Sequence, residues 1–351
     1  MAENSRRATI LDVARLAGVS DGTVSNVLNR PHLVRDSTRR SVLEAMQLVN
    51  FVPNAAARAL RAGRTRSFGL AVLDLGNPFF ADIAAGAEEI AHEAGALVSL
   101  FDTALDRDRE ERLLHRLAEG HVDGLVITPG DVHDPLLDGL AVNGLPVVVL
   151  AREVPDRRHC AVRTDYEEAG RLALTHLLEL GHRRIAFVGP PHDERRAGAL
   201  PLAEQAGVAL QLVPTRSTGL PDGRAAGAAL LAMLPGERPT AVFCMNDPIA
   251  LGLLQIVTQE RLAVPDDLAV VGCDGTDLVD AASAMSLTTI HQPALELGRR
   301  AMDLLLHDPE AVRRHEDVVF RPTLVVRGST DPALRYAAPP PKRAARHPAR
   351  P

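Results

Sequence analysis

From Phe68 onward the chain alternates short apolar runs with segments of helical period, and this alternation constrains the fold more than any other feature. The runs are Phe68 to Leu73, Ala96 to Phe101, Gly124 to Ile127, Val147 to Leu150, Ile185 to Val188, Ala209 to Val213, Ala241 to Cys244 and Ala269 to Val271. Most neighbouring pairs are separated by enough chain for a crossover helix, which predicts parallel, helix-covered sheets. Eight or more strands over about 265 residues suit two doubly wound lobes better than one. The break between lobes is expected near residues 160 to 165, with a return crossing near His291-Gln292-Pro293.

The segment before this body has a different pattern. Thr9 with Asp12 three residues on predicts a capped first helix, with Val13, Leu16 and Ala17 on one face and Gly18 as its stop. Ser20 can cap a second helix over residues 21 to 28 whose Val24, Val27 and Leu28 face inward. A third, about residues 36 to 49, turns Val42, Leu43, Met46 and Val49 inward, and Phe51 closes the small core. Pro53 breaks the chain before Asn54 to Arg61, good helix formers in a stretch too short to be stable alone. Ala62 to Arg66 reads as a linker, and the tail from Asp331, with Pro339 to Pro341 and scattered Arg, reads as disordered.

Charge divides along the same line. The net charge is -6, yet residues 1–66 hold 11 Arg against 5 Asp and Glu, and Arg335, Lys342, Arg343, Arg346 and Arg350 make the tail basic. A basic head on an acidic body points to an anionic partner for the head, most simply nucleic acid, although a solvated basic face has the same charge. Three cysteines, Cys160, Cys244 and Cys273, lack a C-x-x-C pair and fit a reducing cytosol with free thiols. The start MAENSRRATI has no apolar core of a signal peptide, and no run of about 18 apolar residues exists to span a bilayer, so a cytoplasmic protein without a membrane partner is expected.

Several enzyme classes lose their support. The only lysine is Lys342, so no P-loop exists, and no two glycines are spaced two apart, so the dinucleotide fingerprint is missing. His92-Glu93 is followed by Ala96 where a zinc protease needs histidine; neither a metal nor another cofactor is expected. Gly18-Val19-Ser20-Asp21-Gly22 fits the G-x-S-x-G nucleophile elbow, but a short amphipathic helix precedes the serine instead of a buried strand. Ser20 is read as a cap, no residue is read as catalytic, and no enzyme is expected.

Helix, Gly-containing turn and helix over residues 10–28 is a helix-turn-helix, whose second helix can enter a major groove about 12 Å wide. Asp21, Gly22, Ser25 and Asn26 are its outward residues. Asn26 is suited to an adenine edge and Asp21 to a cytosine amino group, while Thr9, Thr23 and Asn29 are placed for phosphates. Each also has an ordinary reading as a cap or solvent contact.

ATILDVARLAGVSDGTVSNVLNRP resembles the DNA-binding head of the LacI/GalR family of bacterial transcriptional regulators. FVPNAAARALRAGRTRSFGLAV, NPFF from Asn77, GHRRIAFVGP from Gly181, CMNDPIALGLL from Cys244, DLAVVGCDGTDL from Asp267, LTTIHQP from Leu287 and PTLVVRGST from Pro322 are similar to later family segments in the same order, covering about residues 8 to 330. The resemblance implies a small all-α helix-turn-helix head plus hinge helix, then an α/β two-lobed periplasmic-binding-protein-like domain with two doubly wound parallel sheets. It implies a head over 1–53, a hinge and linker over 54–66, and a ligand-binding and dimerisation domain over 67–330. Lobe 1 would take about 67–162 plus 292–322, lobe 2 about 163–291 plus 323–330, and the basic tail 331–351.

At the hinge the family's leucine wedges into the minor groove; Leu60 takes that place, with Asn54 and Ala57 beside it and Arg61 poised for phosphate. Motif by motif, Phe79, Asp165, Arg195, Asn246 and Asp274 would contact an effector, and their types suit the hydroxyls and apolar face of a sugar. Arg196 competes with Arg195 because the Gly189 to Arg195 stretch is shorter than usual in the family. Ala199 and Leu220-Pro221 stand where the family often has aromatics, Trp is absent, and aromatics are 3%, so a nucleoside, a polyol or a compact sugar stays open. The implied protein is an effector-responsive repressor, a homodimer or tetramer on pseudo-palindromic double-stranded operator DNA; a solute-binding protein and an α/β enzyme are the rivals.

Overall fold

The computed structural model describes residues 8–51, 65–155, 157–276, 286–308, 312 and 314–334. The hinge expectations for Asn54, Ala57, Leu60 and Arg61, and the tail from residue 335, lie outside the described residues. The chain divides into two compact units, Met1–Thr65 and Arg66–Pro351.

In the first unit, helices α1 (Ile10–Ala17), α2 (Asp21–Asn29) and α3 (Asp36–Leu48) form where the pattern places them. The Asp12 carboxylate accepts from the Thr9 N–H at 2.9 Å and the Thr9 hydroxyl accepts from the Asp12 N–H at 3.4 Å, a reciprocal cap. Gly18 ends α1 at φ +66°, a left-handed position where a side chain is strained, and the Ser20 hydroxyl accepts from the Thr23 N–H at 3.1 Å to start α2. Such caps contribute about 1 kcal/mol each. They matter here because the core is only Val13, Ala14, Val24, Val27, Val42 and Ala45, with Phe51 packed against it. Two expectations fail: Leu16 and Leu43 are 51% and 45% exposed. Each lies roughly 100° around its helix from the centre of the buried stripe, at 100° per residue, so helical spacing alone admits them while packing does not.

The second unit holds two six-stranded sheets. The first runs, in spatial order, β11 (Asp317–Phe320), β5 (Cys160–Thr164), β4 (Val147–Leu150), β3 (Leu125–Ile127), β1 (Ser67–Val72) and β2 (Leu97–Asp102). The second runs β12 (Thr323–Val325), β10 (Thr288–His291), β9 (Ala269–Asp274), β8 (Ala241–Cys244), β6 (Ile185–Gly189) and β7 (Leu210–Pro214). All eight expected strands are present, four more join them, and β12 pairs antiparallel with β10 where a purely parallel sheet was expected. Central strands such as Val147–Leu150 and Ala241–Cys244 are buried at every residue, as helix-covered parallel strands must be. Pro332–Leu334, assigned to a disordered tail, instead form a 3-10 turn whose Leu334 carbonyl accepts from the Ser286 hydroxyl at 3.1 Å.

The covering helices are α4 (Pro78–Glu93), α5 (Arg107–Ala118), α6 (Pro135–Val142), α7 (Tyr166–Glu179), α8 (Glu194–Gln205), α9 (Leu220–Leu231), α10 (Asp247–Gln259) and α11 (Ala294–His307). Three pairs pack backbone to backbone through glycine. A Cβ on Gly86 would sit 2.9 Å from the Leu295 carbonyl carbon, and one on Gly298 2.8 Å from that of Ile83, so α4 and α11 are locked together. Gly170 with Gly198 and Gly223 with Gly252 do the same for α7 with α8 and α9 with α10. In each sheet the order reverses beside the first strand, β1 or β6, and open α/β sheets bind ligands beyond the carboxyl ends of strands at such a point.

Candidate effector cleft and nucleic-acid interface

The two sets of strand ends face one cavity of about 580 Å³, within the roughly 300 to 1,000 Å³ range of small-molecule sites. Lobe 1 supplies Leu73 and Asn77 after β1, Thr128 and Gly130 after β3, and the Phe79 ring. Lobe 2 supplies Asp193 and Arg195 after β6, Asn246 after β8, and Asp274 at the end of β9. Several of these side chains are fixed locally. Asn77 caps α4 by accepting from the Phe79 N–H at 3.0 Å, which seats Phe79 at the cavity wall, 3% exposed and edge-on to Phe80 at 5.4 Å. Asn246 caps α10 through the Ile249 N–H at 3.0 Å and donates to the Thr218 carbonyl at 2.8 Å.

Arg195 is buried, and its charge is held by three neighbours. Its guanidinium lies 3.9 Å from the centre of the Tyr166 ring, pairs with Asp193 at 3.1 Å, and donates through Nε to the Cys273 sulfur at 3.4 Å. Arg196 instead donates to the Pro191 carbonyl, which leaves Arg195 as the one of the two that lines the cavity. Asp274 accepts from Asn77 Nδ2 at 3.0 Å and from Gln292 Nε2 at 2.9 Å. Burial, reinforced by Asp247 and opposed by Arg195, pushes its carboxyl well above the usual carboxylate range. Burial likewise pushes the Cys273 thiol up to about 12, and the Cys244 thiol upward, so both are inert small hydrophobes at neutral pH. On the lobe 1 wall, both Glu110 oxygens accept from the Gly130 N–H, at 3.1 and 3.2 Å. Burial raises the Glu110 carboxyl even against that bond. Thr128 Oγ1, buried beside it, has no hydrogen-bond partner among the described residues. Among the described residues no group of His, Cys, Asp and Glu is arranged to hold a metal, and no helix is long and apolar enough to cross a membrane.

In the head, α2 presents Asp21, Gly22 and Asn26 outward, with Ser25 half-buried. Asn29 is exposed, but its amide donates to the Ser25 carbonyl at 2.9 Å. Ser20, Thr23 and Thr9 are engaged in the caps described above, which leaves their backbone ends at helix N-termini, the usual seats for phosphate oxygens.

Residues 9–54 match the model for bacterial regulatory proteins of the lacI family, and residues 174–330 that for a periplasmic binding protein-like domain. The HTH-type transcriptional repressor PurR of Aliivibrio fischeri (strain ATCC 700601 / ES114) is 36% identical over 342 residues, covering 93% of this chain and 100% of the relative. The chain belongs to the LacI family. It is a DNA-binding, effector-modulated transcriptional repressor of that family. PurR of Photobacterium profundum is 35% identical over 335 residues, covering 92% of this chain and 98% of the relative. Among solved structures, the lac repressor dimer bound to operator and the anti-inducer ONPF aligns with a TM-score of 0.79 at 28% identity over 93% of this chain and 99% of that one. The regulator CelR in complex with cellobiose aligns at 0.67 with 31% identity, over 92% and 100%.

Within this LacI-family fold, Phe79, Arg195, Asn246 and Asp274 line the cavity, whereas Asp165 does not. Asp165 caps α7, accepting from the Glu168 N–H at 2.8 Å, and the next residue, Tyr166, turns into the cavity instead. Sequence reasoning also missed Glu110, Thr128, Asp193 and Gln292. Only Gln292 left a signal, as part of the expected crossing; the others depend on loops brought together by the sheet.

Proposed function

We propose that the cleft of this LacI-family repressor takes a small carbohydrate-like effector and that its occupancy changes operator binding. The convergence of Arg195, Asn246 and Asp274 opposite the Phe79 ring carries this reading: donors and acceptors suited to vicinal hydroxyls, and an apolar face for a sugar ring. Similar proteins described with cellobiose and with ribose support it, the latter a LacI-family regulator of Enterococcus faecium at 29% identity, TM-score 0.67, over 76% of this chain and 99% of that one. A purine-type base or nucleoside is the second reading. It is favoured by full-length relatives named PurR at 35 and 36% identity, above the sugar-bound structures. The same ring and polar edge would hold a flat heterocycle.

On this reading residues 1–53 read DNA and 54–66 form the hinge, with Asn54, Ala57, Leu60 and Arg61 at the minor groove. Residues 67–330 sense and dimerise, and 331–351 form a basic tail whose first residues fold back onto lobe 2. Asp21, Gly22, Ser25 and Asn26 face the major groove of a pseudo-palindromic operator, and Ser20, Thr9, Thr23 and Asn29 its phosphates. The working species is a cytoplasmic homodimer. Ligand-linked coupling in such proteins is typically about 1–3 kcal/mol, a change of roughly 5- to 150-fold in operator affinity.

The test is titration of the full-length protein against DNA fragments flanking its own coding region at one fixed salt concentration. Sugars, polyols, purine bases and nucleosides are added singly. Palindrome-specific binding altered by one sugar is the expected result. Alteration by a purine alone would replace the first reading with the second, and specific binding indifferent to all compounds would refute both.

A further inference from the structure

The Asp274 carboxylate joins the two lobes directly. It ends β9 in lobe 2, yet Asn77 Nδ2, 197 residues earlier in lobe 1, donates to its Oδ2 at 3.0 Å, while Gln292 Nε2 donates to its Oδ1 at 2.9 Å. Gln292 follows β10 on the strand that crosses back to lobe 1, and its backbone N–H also donates to the Asp274 carbonyl at 3.0 Å. Asn77 is the cap of α4, and Gln292 lies two residues before α11. These two helices are the pair locked by Gly86 and Gly298, so both amides sit at the same end of one rigid body. A carboxylate from lobe 2 is thus gripped by two amides mounted on lobe 1 and its crossover. Any rotation of one lobe against the other that widens the cleft must stretch the Asn77 bond first, because Gln292 sits in the crossover itself.

We propose that Asn77 is a positioning residue: its amide forms an inter-lobe latch on Asp274 that sets the closure of the cleft, and thereby the signal an effector at Asp274 can send. This rests on reading the cleft as the effector site, but the latch itself is testable with no small molecule present. Asn77 has two separable duties. Its Oδ1 caps α4 and its Nδ2 crosses the cleft. Serine keeps a good cap and is too short to cross. Exchanging the pair, as Asn77→Asp with Asp274→Asn, reverses the donor while keeping the helix cap and both amide bonds: Asp accepts from Phe79 N–H, Asn donates back across the cleft and still accepts from Gln292.

Nitroxide labels on Asp108→Cys in α5 and Ala225→Cys in α9, both exposed, report the inter-lobe distance by pulsed electron resonance in the full chain; the three native cysteines are buried. Asn77→Ser should shift the distribution to longer distances and broaden it, with the thermal transition retained. The exchanged pair should return it to that of the unaltered protein, a rescue that a purely structural role for Asn77 does not predict. A distribution unmoved by Asn77→Ser, or a shift that the exchange leaves in place, would overturn the latch. The effector reading stands or falls separately, on the titration above.

Discussion

The glycine-locked pair of α4 and α11 yields the sharpest prediction, because the contact is between backbones and has nowhere to give. A Cβ at position 298 would overlap the Ile83 carbonyl oxygen and stand 2.8 Å from its carbon, against about 3.5–4.0 Å for an ordinary carbon contact, so Gly298→Ala must part the helices by about 1 Å or more. A gap of that size forfeits roughly a quarter to a half of the dispersion well for the atoms on either side. Those atoms belong to Ile83, Ala87, Ala91, Leu297 and Ala301, all in the lobe 1 core. Overpacking of a dense core costs about 1–3 kcal/mol, and a clash with main chain belongs at the upper end. Alanine's helix propensity returns about 1 kcal/mol. The net loss of about 2 kcal/mol corresponds to a fall of about 4–8 °C in Tm at about 2–4 °C per kcal/mol. Gly139→Ala is the control: it lies within α6, meets nothing within 4 Å, and should raise Tm slightly. Calorimetry of the full chain reads both. A Gly298→Ala transition within about 1 °C of the unaltered protein would refute the argument that this backbone contact is unyielding.

Asn26→Ala should weaken operator binding by about 10- to 100-fold while sparing non-specific binding and the salt slope, since a bidentate base contact is worth about 1–3 kcal/mol. Asn29→Ala, whose amide is already bonded within the helix, should cost less than about threefold in the same anisotropy titration. If Leu60 is the minor-groove wedge proposed above, Leu60→Ala should lower operator affinity by about tenfold or more and leave effector affinity unchanged in calorimetric titration. For Glu110 the sign follows from its raised carboxyl: the folded state holds the proton more tightly than the unfolded chain, so stability is full below the ordinary carboxylate pKa and declines as pH rises through the folded value. Glu110→Gln should therefore melt higher than the unaltered protein at about pH 8 and converge with it near pH 4; a lower Tm at the alkaline end would show that the charge is needed.

What was legible in the sequence divides by the range of the interaction that decides it. Val147 to Leu150 and Ala241 to Cys244 announce themselves because a strand covered on both faces is apolar throughout. Thr288–His291 does not, because its threonines are satisfied by distant partners: the Thr288 N–H donates to Ser329 Oγ at 2.8 Å and Thr289 Oγ1 to Asp247 Oδ1 at 2.7 Å. The head's caps are local and were legible; the inward assignment of Leu16 and Leu43 was not decided locally and failed. Asp165 shows how fine the boundary is. A capping residue and the first residue of its helix point in different directions, so a one-residue choice exchanges a structural carboxylate for the Tyr166 ring that holds Arg195. Glu110 reaches Gly130 across 20 residues and Asn77 reaches Asp274 across 197, and no periodicity encodes such pairs.

Asp274 concentrates several costs that an ordinary strand terminus would avoid. Its φ of +146° lies where residues with a Cβ are strained; it is 3% exposed, and a second buried carboxylate, Asp247, raises the energy of its charge. Gly275 after it is also left-handed, and its N–H is held by Asp247 at 2.8 Å, so the distortion is clamped from the strand side as well. A fold keeps such a residue only where the surrounding contacts over-determine it, and here they come from α4, the return crossing and the β9–β10 segment together. The end of β9 is therefore a point whose geometry both lobes set jointly, around one buried carboxylate.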